Sequence, residues 1–441
     1  MIYNGASGRA GVSKPSSLGG GSKNLELLAS TIQSVQAIGL FICLTVQLLL
    51  CYIISIFHAV PIWRSTSVSS TVFRDWAVQT KPRGFLAKWC GMDVAWQNYI
   101  SSVLLPLLSA LCTAPEEDVL NFPMEEILGT CGPINPFTKI DLKIDYFWLT
   151  FGTHHYVVDN GVREVVARLT ANMNVQHIHL SSPIVAIQSD PQDHRFATIQ
   201  YLYDGQTQEI KGFRHIILAT QAVGAIPLLT SYLRSLPSNK LDHKIFIQDQ
   251  IQCLKAFQYR PTTVVNHTDN TLLPDDDRDI RDLNLITLDH SSNYENLQGK
   301  FNVSSAHTMT THILPLPKGY PKNKPQVYQT TNPIIDPKKD CLLSVAKLER
   351  AIVTMESRKA LASLTVSETR RWWQCPYQAT TRLGALQGAR DGDSPGIWIC
   401  GSYAHSGIPL LEGCVVSARN VVEQGILKSE EVQWVHKPWH G

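Results

Sequence analysis

Residues 396–425 read GIWICGSYAHSGIPLLEGCVVSARNVVEQG, and the fold turns on how this stretch is read. Its first five residues are apolar without alternation, the pattern of a strand buried on both faces in a parallel sheet. Gly401 ends the run and Ser402 follows it. After a short loop, Glu412 and Gly413 open a helix that carries the small residues Ser417 and Ala418 and runs to Leu427. A buried strand that reaches a helix N-terminus through glycines is the grammar of an anion-binding or pyrophosphate-binding turn. The first amides of the helix point at the ligand, and glycine lets the backbone come close to it.

Working outward, related grammar appears in the middle of the chain. Residues 157–162 (VVDNGV) lead into a short helix ending near Leu169. Residues 175–180, 184–188 and 197–203 alternate as strands do, with turn residues at Ser181-Ser182-Pro183 and at Asp204-Gly205. Residues 215–220 (HIILAT) read as a second parallel-type strand, apolar on both faces. Residues 269–282 form an acidic loop. Strands alternating with helices predict a mixed α/β fold.

The N-terminal part has a different character. Residues 1–26 are rich in Gly and Ser and read as a disordered tail, because they offer too little apolar surface to offset ordering. Residues 27–63 contain no Asp, Glu, Lys or Arg. The densest part, residues 37–57 (AIGLFICLTVQLLLCYIISIF), is interrupted only by Gly39, Thr45, Gln47 and Ser55, which are not expected to form one polar face. At ~1.5 Å per residue this run spans about the ~30 Å hydrocarbon core of a bilayer. It reads as a transmembrane helix, with burial inside a globular body as the alternative. Arg64, Arg74, Lys81, Arg83 and Lys88 follow the run and only Lys23 precedes it, so the large C-terminal part is expected to be cytoplasmic. Residues 64–150 read as mostly helical, with Pro106 kinking an apolar helix and one amphipathic helix over 119–128 closed by Gly129.

Composition removes several classes of function. The 441 residues exclude a peptide hormone or a small disulfide scaffold, and 39 Lys+Arg against 37 Asp+Glu gives no electrostatic reason to expect a nucleic-acid partner. The ten cysteines form no Cys-x-x-Cys pair, and most read as small buried apolar residues. No metal site is expected. His154-His155, His177 and His179 lack a carboxylate or cysteine cluster, and residues 275–279 (DDDRD) follow Pro274 as a solvated loop.

Taken in order, the segments 157–169, 181–190 (SSPIVAIQSD), 201–210 (YLYDGQTQEI), 214–229 (RHIILATQAVGAIPLL) and 396–425 resemble the flavin-containing amine oxidase superfamily. The likeness covers roughly residues 71–427 and includes Phe257-Gln258-Tyr259, 264–267 and Leu272-Leu273-Pro274 in substrate-domain strands. It implies FAD as cofactor, with Val185, Ala219, Thr220, Gly401, Ser402, Glu412 and Gly413 binding it. The implied substrate-lining candidates are Trp372, Trp373, Tyr377, Tyr403 and His405, and no catalytic side chain is identified. Two departures stand out. Ser402 takes the place of the family's acidic residue, and no Gly-x-Gly-x-x-Gly turn follows an expected strand.

The resemblance therefore implies a Rossmann-like FAD-binding domain that is incomplete at the N-terminus. An interleaved substrate domain of antiparallel sheet plus helices and an N-terminal hydrophobic helix complete the expected architecture. Its layout is a tail over 1–26, a transmembrane helix over 27–63, and a helical part of the substrate domain over 64–150. FAD-binding residues over 151–230, substrate domain over 231–390, a closing FAD-binding strand and helix over 391–430 and a tail over 431–441 follow. Two functions remain open. One is an oxidoreductase whose flavin accepts hydride from a C–N or C–C bond of a small-molecule or lipid-like substrate. The other is a non-catalytic, membrane-tethered relative that does not bind FAD productively.

Overall fold

The computed structural model describes residues 2–4, 25–59, 66–128, 161–274, 277–288, 300–316, 321, 323–367, 381–390 and 392–432. They are helical and β in mixture, and they form two compact units that each draw on two stretches of chain. One unit comprises Met1–Met124 and Tyr259–Arg350, the other Glu125–Gln258 and Ala351–Gly441.

In the first unit the uncharged stretch is a single helix, Leu25–Ala59. Cys51 and Ser55 are buried, the Gln47 Nε2 amide donates to Cys90 O at 3.0 Å, and the His58 ring meets Trp76 edge-on at 6.1 Å. Positions 47, 51, 55 and 58 recur every three or four residues and so share one helical face. Gln47 and Ser55 thus share the stripe that packs, whereas Gly39 and Thr45 are exposed, so the four polar interruptions do not form one face, as expected. On the other side Ile42, Val46, Leu49, Leu50, Ile53 and Phe57 are exposed.

Short helices follow, as expected: Phe73–Thr80, Phe85–Trp89, Met92–Tyr99 and Leu105–Cys112. A π-helical turn, Ile100–Leu104, precedes Pro106 and absorbs the hydrogen bond that proline cannot donate. The single helix expected over 119–128 is two, Glu116–Leu120 and Met124–Leu128, because Pro123 interrupts it. Gly129 lies outside the described residues.

A six-stranded sheet completes this unit, in the order Ile2–Asn4, Leu283–Thr287, Met309–Ile313, Tyr328–Thr331, Gln258–His267, Leu342–Ile352. Ile2–Asn4 lies within the tail expected to be disordered; it is instead a strand parallel to Leu283–Thr287, with Tyr3 opposite Ile286. The next three pairings are antiparallel, with Thr311 opposite Thr330 and Val265 opposite Thr330. The sheet buries a polar row: His267 Nδ1 accepts the Asp269 amide at 3.1 Å, and its Nε2 lies 2.7 Å from Thr330 Oγ1. Thr330 in turn meets Thr311 at 2.9 Å.

The second unit holds the strands read first in the sequence. The two expected strands, Gly396–Ile399 and His215–Leu218, pair with each other in parallel, with Ile399 opposite Leu218. Gly396–Ile399 is buried throughout, whereas Ile217 is exposed, so the second strand is not buried on both faces as expected. Strands Ile184–Ser189, Ala197–Tyr203 and Gln206–Phe213 form an antiparallel sheet. Asp204 and Gly205, both at positive φ (47° and 76°), make the tight turn that joins the last two. Helix Ala222–Ser235 serves the edge of this sheet: Ser231 Oγ accepts the Ile187 amide at 3.0 Å and Ser235 Oγ accepts the Ser189 amide at 2.8 Å.

Residues 175–180 do not form the expected strand. Asn174 accepts the Gln176 amide and closes a 3₁₀ turn, Val175–His177, a local bond that competes with strand pairing. Helices Leu241–Lys255 and Met355–Leu361, expected in the substrate domain, group with the parallel pair.

Candidate functional site

The parallel pair ends where the Cys400 amide donates to Leu218 O at 3.1 Å, one residue before Gly401 on one strand and next to Ala219 on the other, at the carboxyl ends of two neighbouring strands. In open α/β sheets ligands bind at such ends. Each strand leads towards a helix, His215–Leu218 to Ala222–Ser235 and Gly396–Ile399 to Leu411–Asn420.

The far edge of Gly396–Ile399 is closed without a regular strand. Gln387 accepts the Ile399 amide at 2.8 Å through its side-chain oxygen and donates to Ile399 O at 2.8 Å. Gly388 and Ile397 exchange backbone hydrogen bonds of 2.9 Å. Trp398 packs with Cys400 and Val421, and its indole N–H donates to His215 Nδ1 at 3.2 Å. The opposite nitrogen of that ring lies 2.7 Å from Glu430 Oε1.

The turn after the strand is held from its own helix. Ser417 Oγ accepts the Gly401 amide and lies 3.0 Å from Gly401 O as well. A Cβ on Gly401 would stand 3.0 Å from the Tyr403 ring, at a φ of +150° that side chains rarely adopt. A Cβ on Gly413 would stand 3.1 Å from Ser402 O and 3.3 Å from His405 Cβ. Both glycines are therefore explained by the close packing of residues 401–405 against the helix.

Beyond that turn lies a small cleft, open to solvent, with a cavity volume of about 20 Å³, lined among others by Glu126, Phe257, Arg358, Tyr403, His405 and Gly407. Tyr403 is buried with its ring T-shaped to Phe257 at 5.0 Å. Arg358 pairs with Glu125, and its Nε lies 3.3 Å from Glu126 Oε1. The Gly407 amide donates to Glu126 Oε2 at 2.6 Å. A capping box aims the arginine: Thr354 Oγ1 accepts the Ser357 amide at 3.0 Å, and Ser357 Oγ accepts the Thr354 amide at 2.9 Å. Glu126 is thus committed to Arg358 and Gly407 and acts as a scaffold for the loop.

His405 differs. Its Nδ1 is buried and has no hydrogen-bond partner among the described residues. Burial pushes the ring below the ordinary imidazole value, against a weaker opposing pull from Glu412. The ring is neutral at neutral pH, so it offers either a donor or an acceptor at low desolvation cost.

Of the residues singled out from sequence, Tyr403 and His405 share this pocket, and Gly401, Ser402 and Gly413 form the turn leading into it. Glu412 is exposed in the first helical turn beside them, and Ala219 and Thr220 are exposed at the adjacent strand end. Val185 stands apart, half exposed at an irregularity in the pairing of Ile184–Ser189. Trp372, Trp373 and Tyr377 lie outside the described residues. Sequence reading missed Glu126 and Arg358; the available signal was a pair of acids inside the apolar segment 124–128 (MEEIL). Among the described residues no group of three His, Cys, Asp or Glu could hold a metal ion.

No protein-family model and no curated protein matches the sequence.

The fit with a flavin differs along the cofactor's length. Phe257, Tyr403 and the unpartnered His405 nitrogen offer the chemistry that the edge of a heteroaromatic ring would meet, but the cleft they line has room for little more than a water. At the phosphate end, the space that Gly401 and Gly413 leave is filled by Tyr403, Ser402 and His405.

Proposed function

We propose that this chain is a membrane-associated, FAD-dependent oxidoreductase of the amine oxidase type, acting on an apolar or amine substrate. When bound, the flavin supplies hydride acceptance from a C–N or C–C bond. The protein's part is to receive the ring edge against Tyr403 and Phe257, to hydrogen-bond it through His405, and to hold residues 401–407 in place through Ser417 and Glu126. The observation that carries this reading is the buried, unpartnered His405 Nδ1, a few residues beyond the carboxyl ends of a parallel strand pair.

The test is a visible absorption spectrum of the full chain, purified in detergent, before and after incubation with FAD and gel filtration. A flavin spectrum that co-elutes with the protein, and that His405→Ala weakens, supports the reading. A protein that stays colourless sinks it.

A second reading is a non-catalytic, membrane-tethered relative. It is favoured by the Ser417 clamp on both polar groups of Gly401 and by the exposure of Ile217 on the parallel pair.

A further inference from the structure

The helix Leu25–Ala59 is not the sole apolar surface in its unit. In the short helix Phe85–Trp89, Phe85, Leu86 and Trp89 are 83%, 74% and 78% exposed. Side chains of this size are seldom left so open on a soluble surface, and together they make one apolar tip. Lys81, Arg83 and Lys88 lie within a few residues of the tip along the chain, and residues 76–92 contain no Asp or Glu. Arg83 and Lys88 are exposed. Large aromatic and aliphatic side chains flanked by unpaired-sign cations are the chemistry that meets an anionic lipid surface, with apolar groups entering and cations at the headgroups.

The tip is tied to the long helix at a defined level. Gln47 donates to Cys90 O, and a Cβ on Gly91 would stand 3.4 Å from Gln47 Nε2. From Gln47 the packed stripe continues through Cys51 and Ser55 to His58, which meets Trp76. Gln47 therefore lies well inside the apolar window Phe41–His58, about 16 Å along the axis from His58 at ~1.5 Å per residue. Were that window perpendicular to the bilayer, the cations beside Cys90 would stand deep in hydrocarbon, an expensive place for a charge. With the helix lying along the surface the conflict disappears. The stripe of 47, 51, 55 and 58 then faces protein, and the exposed stripe of 42, 46, 49, 50, 53 and 57 faces lipid.

We infer that this unit binds an anionic membrane in plane, through the outer stripe of Leu25–Ala59 together with the tip Phe85, Leu86 and Trp89, with Lys81, Arg83 and Lys88 on the headgroups. This deepens the membrane association proposed above and rests on it, but it is independent of the flavin.

The experiment uses the full chain reconstituted from detergent with phosphatidylcholine vesicles, with and without phosphatidylserine, and reads flotation. A second readout is the Trp89 emission, taken as wild type minus Trp89→Phe, in vesicles carrying brominated acyl chains. Trp89 emission is expected to be quenched, most strongly by bromines nearest the headgroups. Replacing Phe85, Leu86 and Trp89 by Ser should lower vesicle partitioning at least about tenfold. Lys81→Glu with Arg83→Glu and Lys88→Glu should lower it on phosphatidylserine vesicles alone. A chain that floats fully, with the Ser variant unchanged and Trp89 unquenched, overturns the inference while leaving membrane association standing. A chain that never floats overturns both. Loss of self-association in the Ser variant, with vesicle binding unchanged, also overturns it and assigns the tip to a second copy of the chain.

Discussion

Two buried polar clusters, one in each unit, are satisfied to different degrees. In the six-stranded sheet the polar row is closed on itself: His267, Thr330 and Thr311 bond in series, and Asp269 accepts the Thr271 and Lys338 amides at 3.0 and 2.9 Å. In the unit with the parallel pair, the ion pairs and clamps of residues 401–407 are satisfied, yet the His405 nitrogen in their midst is not. A closed network specifies a fold, whereas an open nitrogen held by a closed network specifies a place for a ligand.

The largest blow to the comparison should come from Arg358→Ala. It strips Glu125 and Glu126 of their cation; because Arg358 and Glu125 are only partly buried, the loss should be about 2–3 kcal/mol, below that of a fully buried pair. Urea unfolding should show that loss, and Arg358→Lys should recover part of it. A change below about 1 kcal/mol would mean that the loop 401–407 does not depend on this pair.

Thr330→Val breaks the closed row of the other unit. It removes a partner from both His267 and Thr311, a loss of about 1–3 kcal/mol by the same measurement. An unaffected protein would show that the row is not closed in the way described.

Acid should act next. Burial lowers the native values of His267, His307 and His312, with Asp269 opposing for the first. In each case the native state prefers the neutral ring, while the unfolded ring takes its proton below the ordinary value of 6.5. Stability is therefore full above that pH and falls as pH drops from there towards the lower native values. A Tm series from about pH 7 to about pH 5.5 should decline, and His267→Gln should flatten it. A wild-type series that stays level would contradict the sign.

The smallest effect on stability is expected at the open site. His405→Phe removes a buried nitrogen that bonds nothing, so unfolding should change by less than about 1 kcal/mol or become harder. Flavin retention should fall in the same variant. Equal loss of stability and retention would make His405 a packing residue.

Much of the local grammar was legible in the sequence. The helix Leu25–Ala59 and the strands Gly396–Ile399 and His215–Leu218 follow from predominantly apolar runs. The turn at Asp204-Gly205 follows from residues that tolerate positive φ. What could not be read depends on distance along the chain. Arg358 meets Glu125 across 233 positions, and no spacing rule links them. The strand Ile2–Asn4 exists only because Leu283–Thr287 offers it an edge, so its own three residues gave no sign of it. The stripe of Gln47, Cys51 and Ser55 was present in the sequence, but reading the polar interruptions without the intervening cysteine hid it.

Gln387 has a consequence for the solubility of the chain. One side-chain amide supplies the donor and the acceptor that a neighbouring strand would bring to Ile399. A strand from another copy can pair there only by first evicting that side chain from Ile399. Together with the backbone of Gly388 at Ile397, this glutamine works as a guard against edge-to-edge assembly, on a strand whose continuous apolar sequence would otherwise invite it.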